Sequence, residues 1–210
     1  LMYSVRRAYR DHWPDCRLQT AEKRLLGFHR RDDLPGAEAP AAWRCWLRRG
    51  VTAQLARVVE HNYQDVVSLA LLHRRLLSVY AGSVQPGLNH TAIGRVWREA
   101  GRPEVARRVW ECAGGLLDDK GSLQLAGLYR QLGEWSRAEA VWLRLHARGN
   151  ASATLALSKY YEHRMRDPCR ALEFASHCDP LERDVRIARL QGKVDGSLQL
   201  SLLHSQPAIC

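Results

Sequence analysis

The 210-residue chain is 46% hydrophobic and 26% charged, with a formal net charge of +10 and a mean hydropathy of -0.38. That balance gives a globular protein enough apolar material for a core and excludes a disordered, collagen-like or small disulfide-scaffold chain. No run reaches the ~18 apolar residues of a bilayer-spanning helix, so no membrane partner is expected.

Residues 1–20 hold Arg6, Arg7, Arg10 and Arg17 but no compact apolar block before a small-residue cleavage site, so no secretory signal is read there; the start at Leu1 is read as that of a fragment. Six scattered cysteines (Cys16, Cys45, Cys112, Cys169, Cys178, Cys210) form no CxxC pair and no zinc-finger spacing. Reduced thiols in a cytoplasm are the expected state. Of the 32 basic residues 28 are Arg, which offers forked donors for phosphate or simply records a GC-rich genome. Residues 1–80 carry a net +6 and residues 81–210 a net +4.

Taken along the chain, a short amphipathic helix is predicted over Tyr3–His12, stopped by Pro14, and a second over Thr20–Leu26, where Thr20-Ala21-Glu22-Lys23 gives a weak capping signal. Gly27–Ala42, with Pro35, Gly36 and Pro40, reads as an irregular surface segment. From Thr52 to Tyr80 there is neither Gly nor Pro, and Leu55, Val59, Val66, Leu69, Leu76 and Tyr80 keep helical spacing. At 1.5 Å per residue this predicts one helix of about 43 Å. Residues 82–87, with Pro86, read as a linker.

A 32-residue period follows. Ile93, Leu125 and Leu157 are followed by the small residues Gly94, Ala126 and Ser158 and then by Trp97, Tyr129 and Tyr161. The register continues through Gly101 and Gly133, then Ala106 and Ala138, then Trp110, Trp142 and Phe174. Each unit reads as two helices joined by a short turn, the small residues letting them approach and the aromatics filling the wedge between hairpins. These columns resemble tetratricopeptide (TPR) repeats over residues 88–180, although their period is 34. The third unit departs: Met165 stands in the turn-glycine column and Arg170 in the alanine column. Residues 181–210 are predicted to be a capping helix, broken at Gly192 and Gly196, and a tail. No sustained period-two alternation exists, so almost no strand is expected.

Within the long helix His61 and Asp65 stand four apart on one face, together with Gln54, Val58, Ser68 and Leu72. A carboxylate there could hold a divalent metal, and an imidazole one turn away could deprotonate a metal-bound water; spacing alone reads first as an ordinary polar pair. The arginine pairs Arg6-Arg7, Arg30-Arg31, Arg48-Arg49 and Arg74-Arg75 read as solvated surface or as phosphate contacts. Trp97, Trp110 and Trp142 fall on packing columns and read as core rather than as stacking platforms.

Cys16-Arg17-Leu18-Gln19-Thr20, Leu25-Leu26-Gly27-Phe28, Arg31-Asp32-Asp33-Leu34-Pro35-Gly36 with Pro40 and Trp43, Leu47-Arg48-Arg49-Gly50 and His61-Asn62-Tyr63-Gln64-Asp65-Val66, in that order, resemble the C-terminal half of a YprB-like ribonuclease-H-like exonuclease domain of the DEDD superfamily. The resemblance covers residues 1–81. It implies a mainly α chain: the helical C-terminal part of a ribonuclease-H-like α/β domain, its sheet missing from this chain, followed by the TPR-like αα-hairpin stack. It also implies a metal-dependent nuclease, a 3'-5' exonuclease on DNA or RNA, using two Mg2+ or Mn2+ ions held by four acidic residues. Asp65 matches the acidic residue of the third exonuclease motif, a metal ligand, and His61 the neighbouring position that orients or deprotonates water. The resemblance sets the first acidic pair and the second-motif Asp on strands before Leu1, so these 210 residues alone are expected to be inactive. The alternative is a non-enzymatic TPR-type scaffold, or a nucleic-acid-binding protein with a vestigial nuclease domain, whose repeats hold a protein or peptide.

Overall fold

The structure is a computed structural model that describes residues 1–30 and 36–204, with side chains through 195. Residues 31–35, which include Asp32 and Asp33 of the loop signature, and residues 205–210, which include Cys210, lie outside the described residues. It is mainly helical, with no strand among the described residues, and it divides into two compact units, Leu1–Leu116 and Leu117–Cys210. The division falls one helical hairpin later than the 82–87 linker. No helix among the described residues is long and apolar enough to cross a membrane.

In the first unit α1 (Met2–Tyr9) is followed by the single turn α2 (Leu18–Ala21), which widens into a π turn over Glu22–Leu26 and closes on Gly27. Asp15 starts that second helix by accepting from the Arg17 amide at 2.9 Å and the Thr20 hydroxyl at 2.5 Å. Helix α3 (Ala39–Arg49) takes in the last four residues, 39–42, of the segment expected to be irregular over Gly27–Ala42, while residues 27–30 are irregular. Pro40 lies in its first turn, where no intrahelical donor is needed and a fixed φ favours helix, so the proline begins an element instead of excluding one. Helix α4 (Ala53–Tyr80) runs unbroken, as the absence of Gly and Pro predicted. Helices α5 (His90–Glu99) and α6 (Pro103–Ala113) form a hairpin in the same unit.

The C-terminal half of α4 is built into a core. Leu72, Leu76 and Val79 pack with Val5, Ala8 and Tyr9 of α1, with Ala21, and with Ile93, Val105 and Val109 of the hairpin. Three polar contacts fix the register: the Tyr80 hydroxyl donates to Ser4 O at 3.0 Å, Trp97 Nε1 donates to Tyr80 O at 2.8 Å, and the Asn89 amide donates to Ala8 O at 2.8 Å. The N-terminal half of α4 packs against α3 and the π turn on one face and exposes Val59, Tyr63 and Val66 on the other.

The second unit is a run of sequential antiparallel neighbours, α7 (Asp119–Gln131), α8 (Trp135–His146), α9 (Ala151–Tyr160), α10 (Pro168–Ser176) and α11 (Pro180–His204). The leading helices of the three hairpins start on Asn89, Asp118 and Asn150, whose side chains accept from the amide three residues on, which satisfies one orphan donor at each start. The small-residue columns lie where helices touch: Ala106, Ala126, Ala138 and Ser158 are fully buried. Trp110 and Trp142 are core residues and Trp97 packs on the first unit's core. Gly94 is required by close approach, since a Cβ there would lie 2.1 Å from Trp110 Nε1.

The third hairpin corrects two of the expected columns. A π turn over Tyr161–Met165 inserts one residue, so the left-handed turn position passes from column 165 to Arg166 (φ 56), and the buried alanine is Ala171 rather than Arg170. What reads as degeneracy is thus a shift by one residue, and the Ser158 hydroxyl donates to Ala171 O at 3.0 Å across the restored contact. Helix α11 also runs through Gly192 and Gly196 to His204 without the expected break. An interior glycine costs about 1 kcal/mol relative to alanine, which a 25-residue helix absorbs.

Candidate functional site

The face of α4 that carries His61 and Asp65 is turned toward the π turn at Glu22–Leu26 and the irregular residues 27–30 that follow it. The π turn places Glu22 inward, where its side chain has no exposure to solvent. Arg30, whose side chain is 5% exposed, lies between Glu22 and α4. Its Nε donates to Glu22 Oε2 at 2.8 Å and its Nη2 to Glu22 Oε1 at 2.6 Å, a bidentate fork, while Nη2 also donates to Asp65 Oδ1 in a short contact. One guanidinium therefore joins a buried carboxylate to a one-third exposed one.

His61 completes the group. Arg30 Nη1 lies 3.3 Å from His61 Nδ1, and because a guanidinium only donates, Nδ1 accepts and the ring proton is assigned to Nε2. Nε2 faces Asp65 Oδ2 at 3.7 Å, longer than a hydrogen bond. Chemically this is a nest of two carboxylates and an imidazole around one positive charge, with bidentate guanidinium geometry fixing its centre.

The pair read from the sequence is thus brought together, on the same face as buried Ser68 and Leu72, with half-buried Val58 one turn before His61. Two further members were missed. Glu22 reads as part of a helix cap and Arg30 as half of a surface arginine pair; the structure buries both and pairs them. No local pattern marks them, because the one-residue widening of the π turn decides which way Glu22 points. Asp11 accepts from the Asn89 side chain in a short contact and Asp15 caps α2, so both hold the fold together rather than join the site. Arg48, Arg49, Arg74 and Arg75 are exposed.

A ribonuclease-H-like site implies a divalent cation, which the cluster does not fit. Asp65 Oδ1 and both oxygens of Glu22 are held by Arg30, and among the described residues no group of three or more His, Cys, Asp or Glu side chains could hold a metal. The described residues therefore do not by themselves form such a site.

All four residues fall within the segment that comparison with known families recognises. Residues 1–77 match the RNase_H superfamily. This RNase H-like segment ends three residues before α4 does, so it contains α1 to α3 and nearly all of the long helix. Most of the chain is similar to the uncharacterized protein YprB of Bacillus subtilis (strain 168), 26% identical over 213 residues that cover 92% of this chain and 52% of that protein. The chain spans about half the length of the curated relative it matches. No solved structure matches it.

Proposed function

We propose that the complete protein is a metal-dependent nuclease, a 3'-5' exonuclease acting on DNA or RNA, to which this chain contributes Asp65 and His61. The observation that carries the reading is the convergence of Asp65, His61 and Glu22 on one cationic centre inside the segment that matches the RNase_H superfamily. Members of that superfamily typically use divalent metals, so Mg2+ or Mn2+ is the expected cofactor, with Asp65 as one ligand and the other ligands outside the described residues. Arg30, anchored on buried Glu22, sets the position of Asp65 and of the His61 ring. The hairpins of residues 88–180 are TPR-like units and present a surface to the nucleic acid or to a protein. Free thiols at Cys16, Cys45, Cys112, Cys169 and Cys178 agree with a cytoplasmic location.

A second reading, a non-enzymatic scaffold with a vestigial nuclease domain, is favoured by one specific contact. Arg30 neutralises Asp65 and lies where a cation would be bound. Hydrolysis of end-labelled single-stranded and duplex DNA and RNA in Mn2+ by the complete protein decides between the two. The nuclease reading expects end-directed cleavage that Asp65→Asn abolishes and that His61→Ala slows by roughly 10²- to 10⁴-fold, the usual contribution of a general base. A folded complete protein without cleavage establishes the scaffold instead.

A further inference from the structure

A pocket of about 420 Å³ opens in the second unit between α7, α8 and α9, remote in sequence from His61 and Asp65. Its apolar wall is made by Trp135, Trp142 and Leu155, and its rim carries Arg130, Lys159 and Arg164. Trp135 is held flat: its ring stacks on Tyr160 with centroids 5.8 Å apart and 16° between planes, and the Arg164 guanidinium lies 5.5 Å from the ring centre. Tyr160 is itself fixed by donating its hydroxyl to Glu139 at 3.3 Å. Among the described residues neither Arg130 nor Lys159 forms an ion pair, and no carboxylate lines the pocket.

These cations are a local feature. Residues 117–210 contain 13 Lys and Arg against 11 Asp and Glu, a net charge of only +2, so three cations without an acid at one pocket is not the overflow of a basic surface. A concave site of this size with flat aromatic walls and a few placed charges is the form of a ligand site. Its chemistry asks for a ligand that is flat and apolar on one part and anionic on another. A nucleotide unit has both, a base for the indole wall and phosphate for the rim.

We propose that this pocket binds a nucleotide unit of a single-stranded nucleic acid, base against Trp135 and phosphate on Lys159, Arg164 and Arg130. The site is separate from Asp65 and His61 and stands whether or not the complete protein cleaves. The test is fluorescence anisotropy of a fluorescein-labelled oligothymidylate, on the order of twelve nucleotides, titrated with the 210-residue chain at two salt concentrations. Saturable binding that weakens with salt is expected. Lys159→Glu with Arg164→Glu weakens it at least about tenfold, and Trp135→Ala weakens it roughly 5- to 100-fold, the range of one lost base stack. Arg144→Glu with Arg183→Glu, an equal charge change at positions outside the pocket lining, leaves the affinity within about threefold, in line with the small energetic weight of surface charges. Circular dichroism checks that each variant is folded; should Trp135→Ala unfold, Trp135→Phe and the exposed charge reversals carry the result. Absence of saturable binding overturns the proposal. So does an equal loss from the Arg144 and Arg183 reversal, which would mean diffuse attraction, or displacement of the oligonucleotide by an equal concentration of an acidic peptide, which would mean a peptide site.

Discussion

At the scale of single residues the energetics centre on one buried charge. Glu22 has no exposed side-chain surface, and its two oxygens are both taken up by Arg30. Desolvating a carboxylate costs several kcal/mol, and the bidentate fork offsets that cost only while it is intact. Arg30→Met is therefore expected to destabilise the chain by about 3–5 kcal/mol, measured by urea unfolding. The paired change Arg30→Met with Glu22→Leu is expected to recover most of that loss, because it removes both charges together. If the double variant is no more stable than the single one, the pair is not the origin of the effect. Gly94 makes a second prediction. An added methyl would meet the Trp110 indole at 2.1–2.7 Å, and Trp110 is fully buried, so the ring has to move. Gly94→Ala is expected to lower stability by roughly 1–3 kcal/mol despite the better helix propensity of alanine, as overpacking does.

At the scale of elements one turn carries unusual backbone and one buried acid carries the packing of the last helix. Arg166 takes the left-handed conformation (φ 56) that glycine supplies at Gly101 (φ 73) and Gly133 (φ 77) in the other hairpins. A side chain in that region costs about 1–2 kcal/mol, so Arg166→Gly is expected to stabilise the second unit by about 1 kcal/mol, seen as a raised Tm. Helix α11 is held to the π turn before it by Glu162, which accepts from Arg186 at 2.9 Å, Arg189 at 2.6 Å and Lys193 at 2.8 Å. Burial pushes the Glu162 carboxyl up, but the Lys193 hydrogen bond and the charges of Arg189 and His163 outweigh it and hold the group below its ordinary 4.5. A carboxyl lowered on folding contributes stability that is present above pH 4.5 and is lost as pH falls through the folded value. Acid titration followed by circular dichroism should show that loss, and Glu162→Gln should remove its pH dependence while lowering stability at pH 7. His90 adds the opposite chemistry with the same sign: burial lowers its pKa below 6.5, so keeping the ring neutral costs stability as pH falls below that value.

At the scale of the whole molecule the charge is uneven, with +8 of the +10 on residues 1–116, and the candidate site there is held by its own arginine. A chain that is strongly basic around Asp65 and places Arg30 on its carboxylate should bind Mn2+ no more tightly than about millimolar, the affinity of weak open sites. Electron paramagnetic resonance of added Mn2+ measures this directly, and a micromolar site in this chain would show that Arg30 yields to the metal. Much of the architecture was legible beforehand. The unbroken α4 followed from 28 residues without Gly or Pro, the hairpins from apolar and small columns repeating every 32 residues, and the pairing of His61 with Asp65 from their i,i+4 spacing. These are properties of the chain within one or two helical turns, where local sterics and periodicity dictate the outcome. Tertiary structure decided what depends on a partner far along the chain or on one inserted residue. It decided that Glu22 turns inward and meets Arg30, and that Arg30 crosses to Asp65, 35 residues away. It also decided that a π turn moves the third hairpin's alanine column from Arg170 to Ala171. A helix widened by one residue rotates every side chain beyond it, and no local signal in the sequence records that rotation because the packing it satisfies lies on another element.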